Sequence, residues 1–247
     1  MKKLILTIVA ALGMVAGSAM AAGGGHPLDK APVKTNDLAS LQNGAKLFQN
    51  YCLGCHQMQY QRYSRTFRDL DIPEDVGMAN LMFTGEKVGD HITNSMPGDY
   101  AANSFGVLPP DLTNVARVRG ADWLYTYLRT FYVDDSRPFG VNNKVFPLVG
   151  MPHVLQELQG VPYQAYETRL VDGESKEVYV GIRTDGSGEL SPEEYDRAVA
   201  DLVNYMVYTG EPSKLESHSL GIKVLIFLLI FFVLAYLLKK EYWKDVH

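Results

Sequence analysis

The sequence predicts a mainly α exported domain with long loops and one small β-hairpin, tethered by a single C-terminal transmembrane helix. Three observations carry that prediction. Both cysteines of the 247-residue chain fall in one run, Cys52-Leu53-Gly54-Cys55-His56. Residues 220–238, LGIKVLIFLLIFFVLAYLL, form an apolar stretch with one charge, Lys223. Between these two features, three segments repeat apolar residues at helical spacing.

The N-terminus reads Met1-Lys2-Lys3, then an apolar run over residues 4–15, then Ala19-Met20-Ala21. Positive charge, a short apolar core and an A-x-A site predict a signal peptide over residues 1–21, cleaved after Ala21. The exported domain then covers residues 22–210. Its first helix carries Leu41, Ala45, Phe48 and Cys52 on one face, with Asp37 or Ser40 as N-cap. A second is expected over residues 122–133, where Trp123, Tyr127 and Phe131 recur every fourth residue. The third begins with Ser191 as N-cap, Pro192 at the first helical position and Glu194 completing a capping box. Its apolar stripe is Tyr195, Ala198, Val199, Leu202, Val203 and Met206, and Gly210 and Pro212 stop it. Asp172-Gly173 predicts a hairpin turn between residues 166–171 and 177–183.

Residues 67–120 and 134–164 are rich in Gly, Pro, Asn and Asp and read as long loops. Loops of that length imply a body organised around something besides its own side chains. Residues 211–219 read as a polar linker. Residues 220–238 are long enough to cross a bilayer as a helix. Lys239, Lys240 and Lys244 follow, with Tyr242 and Trp243 as interfacial anchors, so the positive-inside rule puts residues 239–247 in the cytoplasm.

The C-x-x-C-H run is the attachment signature of a c-type haem. In a helical turn, positions i, i+3 and i+4 share a face. Cys52 and Cys55 then reach the two vinyl groups of one porphyrin, and His56 reaches its iron. The other uses of a cysteine pair fit less well. A structural zinc site needs four ligands, usually two spaced pairs, and there is no second cysteine pair. A thioredoxin-type dithiol needs a βαβ setting that the surrounding residues lack. A plain disulfide leaves His56 as coincidence. One covalently bound haem c is the expected cofactor, and export suits its attachment.

The sixth ligand is open at this level. Met58 lies too near His56 in sequence to reach the opposite face. Met206 belongs to a core stripe, and Met78 and Met82 are spaced for packing. Met96 and Met151 each precede a proline in a loop, and the pattern divides evenly between them. His91 and His153 are bis-histidine alternatives.

The net charge of the chain is −5. Six lysines lie in the first 21 and last 28 residues against two acids, so residues 22–219 carry −9. An acidic exported domain can steer a basic protein partner, or simply stay soluble. No nucleic-acid partner is expected of it.

The chain also resembles the cytochrome c1 family over nearly all of the exported domain and the anchor. Cys52-Leu53-Gly54-Cys55-His56 is followed by Met58, Tyr60 and Tyr63, similar to the family's M-x-Y-x-x-Y continuation. Ala102-Asn103 and Leu108-Pro109-Pro110-Asp111-Leu112 are similar to its A-N and L-P-P-D-L blocks. Phe146-Pro147 and Gly150-Met151 resemble its axial-methionine segment, with a shorter spacing than the mitochondrial pattern. The resemblance implies His56 and Met151 as axial ligands and Arg117 as partner of a haem propionate. It further implies Asn103, Pro110, Tyr127 and Phe146 as haem-pocket residues.

What the resemblance implies about function is electron transfer rather than bond chemistry. The haem would take electrons from a Rieske iron–sulfur protein and pass them to a soluble or tethered cytochrome c, in a respiratory complex with cytochrome b. The complex would be dimeric, in contact with membrane lipid, with the haem domain on the periplasmic side of a bacterial inner membrane. Two rivals are a tethered cytochrome c feeding a terminal oxidase and a mono-haem enzyme or sensor. The latter needs an open iron position.

Overall fold

This computed structural model describes residues 26–171 and 174–244. The expected signal peptide, the hairpin tip Asp172-Gly173 and the last three residues lie outside the described residues. Helices dominate, with three two-stranded antiparallel pairs among the described residues.

Helix α1 (Leu38–Leu47) starts at Asp37, whose side chain accepts from the Ser40 amide at 3.2 Å, so Asp37 is the cap. It runs into a π-helical turn, Phe48–Cys52. Wider turns of this kind recur at functional sites, and this one ends on the first cysteine. Strand β1 (Met58–Arg62) pairs with β2 (His91–Ile92). The expected loop of residues 67–120 instead holds short helices: the end of α2 (Tyr63–Asp69), then α3 (Glu74–Leu81), α4 (Gly98–Phe105) and α5 (Val115–Arg119). They are one or two turns long, too short for a sequence period to mark them.

The second predicted helix is α6 (Ala121–Arg129), shorter than expected. Its last predicted residues form strand β3 (Phe131–Val133), paired with β4 (Val141–Asn143). A one-turn helix, α7 (Gln156–Gln159), precedes the hairpin of β5 (Pro162–Val171) and β6 (Glu174–Thr184). That hairpin starts four residues earlier than the apolar alternation indicates.

Helix α8 (Pro192–Gly210) carries the full capping box. Its buried face holds Tyr195, Val199, Leu202, Val203 and Met206, with Tyr205 and Tyr208 added. Burying each large side chain contributes roughly 1.5–3 kcal/mol. Helix α1 lies against α8 with Gly44 at the crossing. A Cβ there would stand 2.7 Å from the Tyr205 Cβ and against the Asp201 carbonyl. Arg129, ending α6, reaches Asp196 of α8 at 2.6 and 2.8 Å and Asp29 of the N-terminal segment at 2.7 Å. The crossed α1, α6 and α8 form the frame on which the cysteine turn and the loops are mounted.

The expected polar linker at residues 211–219 is a turn followed directly by helix α9 (Lys214–Tyr242). Residues 220–242 of α9 are long and apolar enough to cross a membrane, and none of that stretch is buried against the rest of the chain.

Candidate haem site

The cysteine turn closes on itself. The Cys55 and His56 amides both donate to the Cys52 carbonyl, at 3.1 and 2.8 Å. This is the i, i+4 geometry that the spacing implies. Cys52, Cys55 and His56 consequently line one cavity, together with Pro110 and Met151. The cavity measures about 520 Å³, its open mouth included.

Burial pushes the Cys52 thiol up to about 12, with the Cys55 charge adding to it, and burial also raises Cys55. Burial lowers the His56 pKa, against the opposing pull of the Pro110 carbonyl and Asp111. Neutral His56 donates from Nδ1 to the Pro110 carbonyl at 2.8 Å. Among the described residues the Nε2 lone pair has no hydrogen-bond partner. A ligating histidine is normally oriented by a bond of this kind from its other nitrogen.

Pro110 is itself held in place. Asp111 accepts from the Gln59 amide at 2.7 Å and the Thr113 amide at 2.9 Å, and Leu112 N donates to Gln57 O at 2.8 Å. These bonds tie the Pro-Pro-Asp-Leu loop to the chain just past the cysteine turn.

Met151 enters on a loop pinned by two asparagines that the sequence pattern does not mark. Buried Asn143 accepts from the Val145 and Phe146 amides at 2.9 and 3.1 Å and donates to the Tyr127 carbonyl at 2.7 Å. Asn142 accepts from the Leu148 amide at 2.8 Å. Leu148 sits in the left-handed region at φ 62°. A non-glycine residue held there costs on the order of 1–2 kcal/mol, which these bonds offset. The Met151 sulfur accepts from the Tyr127 hydroxyl at 3.2 Å. Burial raises the Tyr127 pKa, so the hydroxyl keeps its proton.

The residues fit a haem. The cavity wall is almost wholly apolar, as a porphyrin face requires. Two thiols for thioether formation, one oriented imidazole and one thioether sulfur meet at that wall. Met96 lines a different hollow, with Leu53 and Phe83. His91 is exposed on β2. His153 is buried, bonded to Gln159 at 2.7 Å and stacked on Phe131 at 4.8 Å.

Other expected pocket residues sit differently. Arg117 reaches the Gly210 carbonyl at 3.4 Å and Glu211 at 3.7 Å, at the end of α8 and outside the cavity wall. The α5 turn directs it there. Arg119, two residues on, lies over the Trp123 ring at 5.2 Å, and Trp123 stacks on Tyr127 at 4.9 Å. Asn103 is exposed on α4, while Phe105, on the same helix, lines the cavity. Phe146 is 45% exposed and packs edge-on against Trp123 rather than on the cavity wall.

The sequence profile of the Cytochrome C1 family matches residues 29–246. The chain belongs to the cytochrome c1 family. It is 51% identical over its full length to the full-length cytochrome c1 of Allochromatium vinosum. It is 25% identical to the cytochrome c1 of Cereibacter sphaeroides over 99% of this chain and 96% of that one. It is also 50% identical, over 89% of each chain, to a Nitrosomonas europaea protein named ammonia monooxygenase gamma subunit. As a member of this family, the chain carries one covalently bound c-type haem and is the haem subunit of the cytochrome bc1 complex. Cytochrome b and the Rieske protein are its companions there, and α9 is its membrane anchor.

Proposed function

We propose that Cys52 and Cys55 hold the haem, that His56 and Met151 are its axial ligands, and that it relays electrons from the Rieske centre to a cytochrome c. The observation that carries this is the convergence of all four side chains on one apolar cavity. The haem supplies one-electron redox chemistry when bound. The protein's part is to keep that chemistry to electron carriage. With His56 and Met151 both as ligands, no position would be left open for peroxide or gas, and a thioether ligand would favour the ferrous state. The Pro110 carbonyl fixes the His56 tautomer, and Asn142 and Asn143 fix the loop that presents Met151. Each electron then moves with little rearrangement.

On this reading residues 1–21 are removed, residues 22–210 form the haem domain outside a bacterial inner membrane, and residues 239–247 face the cytoplasm. Exposed Val107 and Leu108, beside the cavity, give an apolar contact patch. The −9 charge of residues 22–219 would attract a basic acceptor to the domain as a whole. Cytochrome c is that acceptor, lipid surrounds α9, and the complex is dimeric. Arg119 is linked to the site through its contact with the Trp123–Tyr127 stack, and Arg117 is held at the end of α8. The name of the Nitrosomonas relative describes that protein; monooxygenation has no part in this reading.

Purification from membranes tests it. Co-isolation with a multi-span b-type cytochrome and an iron–sulfur protein, and no rapid carbon monoxide binding after reduction, are expected. Rapid carbon monoxide binding would mean an open iron position and a catalytic or sensing role.

A further inference from the structure

The contact between Tyr127 and Met151 does more than fill space. Tyr127 is 8% exposed, and among the described hydrogen bonds its hydroxyl has one partner, the Met151 sulfur at 3.2 Å. The ring cannot turn away. Trp123 stacks on one face at 4.9 Å and 10°, Phe131 meets it edge-on at 5.2 Å, and Asn143 holds its carbonyl. A thioether sulfur has two lone pairs. One given to a metal leaves one to accept a hydrogen bond.

We propose that Tyr127 is a positioning residue for the axial sulfur, whose hydroxyl hydrogen bond raises the reduction potential of the haem. The inference rests on the assignment of Met151 as ligand. A donor on the sulfur withdraws density that the ferric ion needs more than the ferrous one. Hydrogen bonding just outside the ligand sphere is a recognised lever on potential. A buried hydroxyl that had merely found the nearest acceptor would stabilise the fold and leave the potential alone.

Tyr127→Phe separates the two roles, because it keeps the ring and removes only the hydroxyl. In the whole membrane complex, redox titration of the variant is expected to show a lower potential. The shift corresponds to a roughly three- to tenfold change in equilibrium with a fixed redox partner, tenfold being 59 mV for one electron. The Met–iron charge-transfer band persists but moves in energy, and imidazole displaces the sulfur from ferric protein several-fold more slowly. An unchanged potential and band would overturn the proposal. Met151→Leu run alongside distinguishes the failures: if it keeps the band and potential, the ligand assignment falls first and the proposal with it. In the unaltered holoprotein, long exchange into D₂O should shift the iron–sulfur stretch in resonance Raman spectra. An unmoved stretch counts against the hydroxyl bond.

Discussion

The His56 imidazole donates from Nδ1 to the Pro110 carbonyl oxygen at 2.8 Å, so the cysteine turn and the Pro-Pro-Asp-Leu loop are one structural unit. Asp111 secures that unit through the Gln59 and Thr113 amides. Asp111→Ala removes both charge-assisted bonds and is expected to cost about 2–3 kcal/mol. Denaturant unfolding, followed through the haem spectrum, measures it. The variant should also lose its histidine–iron bond at lower denaturant than the parent.

Asn143 joins α6 to the Met151 loop by three hydrogen bonds and has no exposed surface. Asn143→Ala leaves the Val145 and Phe146 amides without that acceptor. A loss of about 2–4 kcal/mol is expected, at roughly 1–3 kcal/mol for each unsatisfied buried group with partial relief by water. The functional sign is carbon monoxide binding: the reduced variant should bind it markedly faster than the parent, because the methionine loop no longer holds its position.

Gly44 is a test of the frame alone. An added methyl meets the Asp201 carbonyl and Tyr205, neither of which is the free end of a flexible chain. Gly44→Ala should therefore force α1 and α8 apart and destabilise the domain by about 1–3 kcal/mol. The haem band positions of the folded fraction should not change.

Asp69 gives the pH dependence. Burial works to raise its pKa, and hydrogen bonds from Tyr208, Arg68 and Arg65 outweigh that and hold it below the usual carboxylate range. A carboxylate depressed in the folded state adds stability above its unfolded pKa, about 3.9. That stability is lost as pH falls through the folded value. Tyr208 donates to Asp69 at 2.8 Å. Tyr208→Phe should therefore lower stability at neutral pH by about 1.5–3 kcal/mol. The gap between variant and parent should close as pH drops below the folded pKa of Asp69. Unfolding midpoints measured across acid pH check this, and a gap constant with pH would contradict it.

The parts of the fold with a long sequence period are legible in the amino-acid pattern alone. The α8 stripe and its capping box need only Ser191, Pro192, Glu194 and the apolar spacing, because a 19-residue helix repeats its signal several times. The anchor is legible for the same reason. The short helices α2 to α5 are not, since one or two turns carry no readable period. At the site, C-x-x-C-H is legible because its geometry is local. Pattern cannot separate Met151 from Met96, since their difference is which hollow each loop enters. The resemblance implies Arg117 as partner of a propionate, and pattern alone does not show that the α5 turn brings it to Gly210 and Glu211. Asn142 and Asn143 escape notice because a paired asparagine reads as a turn, and only the folded loop reveals the amides it captures.

Quinol-driven reduction of the c-type haem, in membranes with and without the iron–sulfur protein, addresses the role of this chain most directly. With the iron–sulfur protein present, the haem should reduce at the turnover rate of the complex. Without it, reduction should stop while the haem stays bound and reducible by dithionite. Reduction by quinol at an unchanged rate in its absence would contradict the placement of this haem after a Rieske centre.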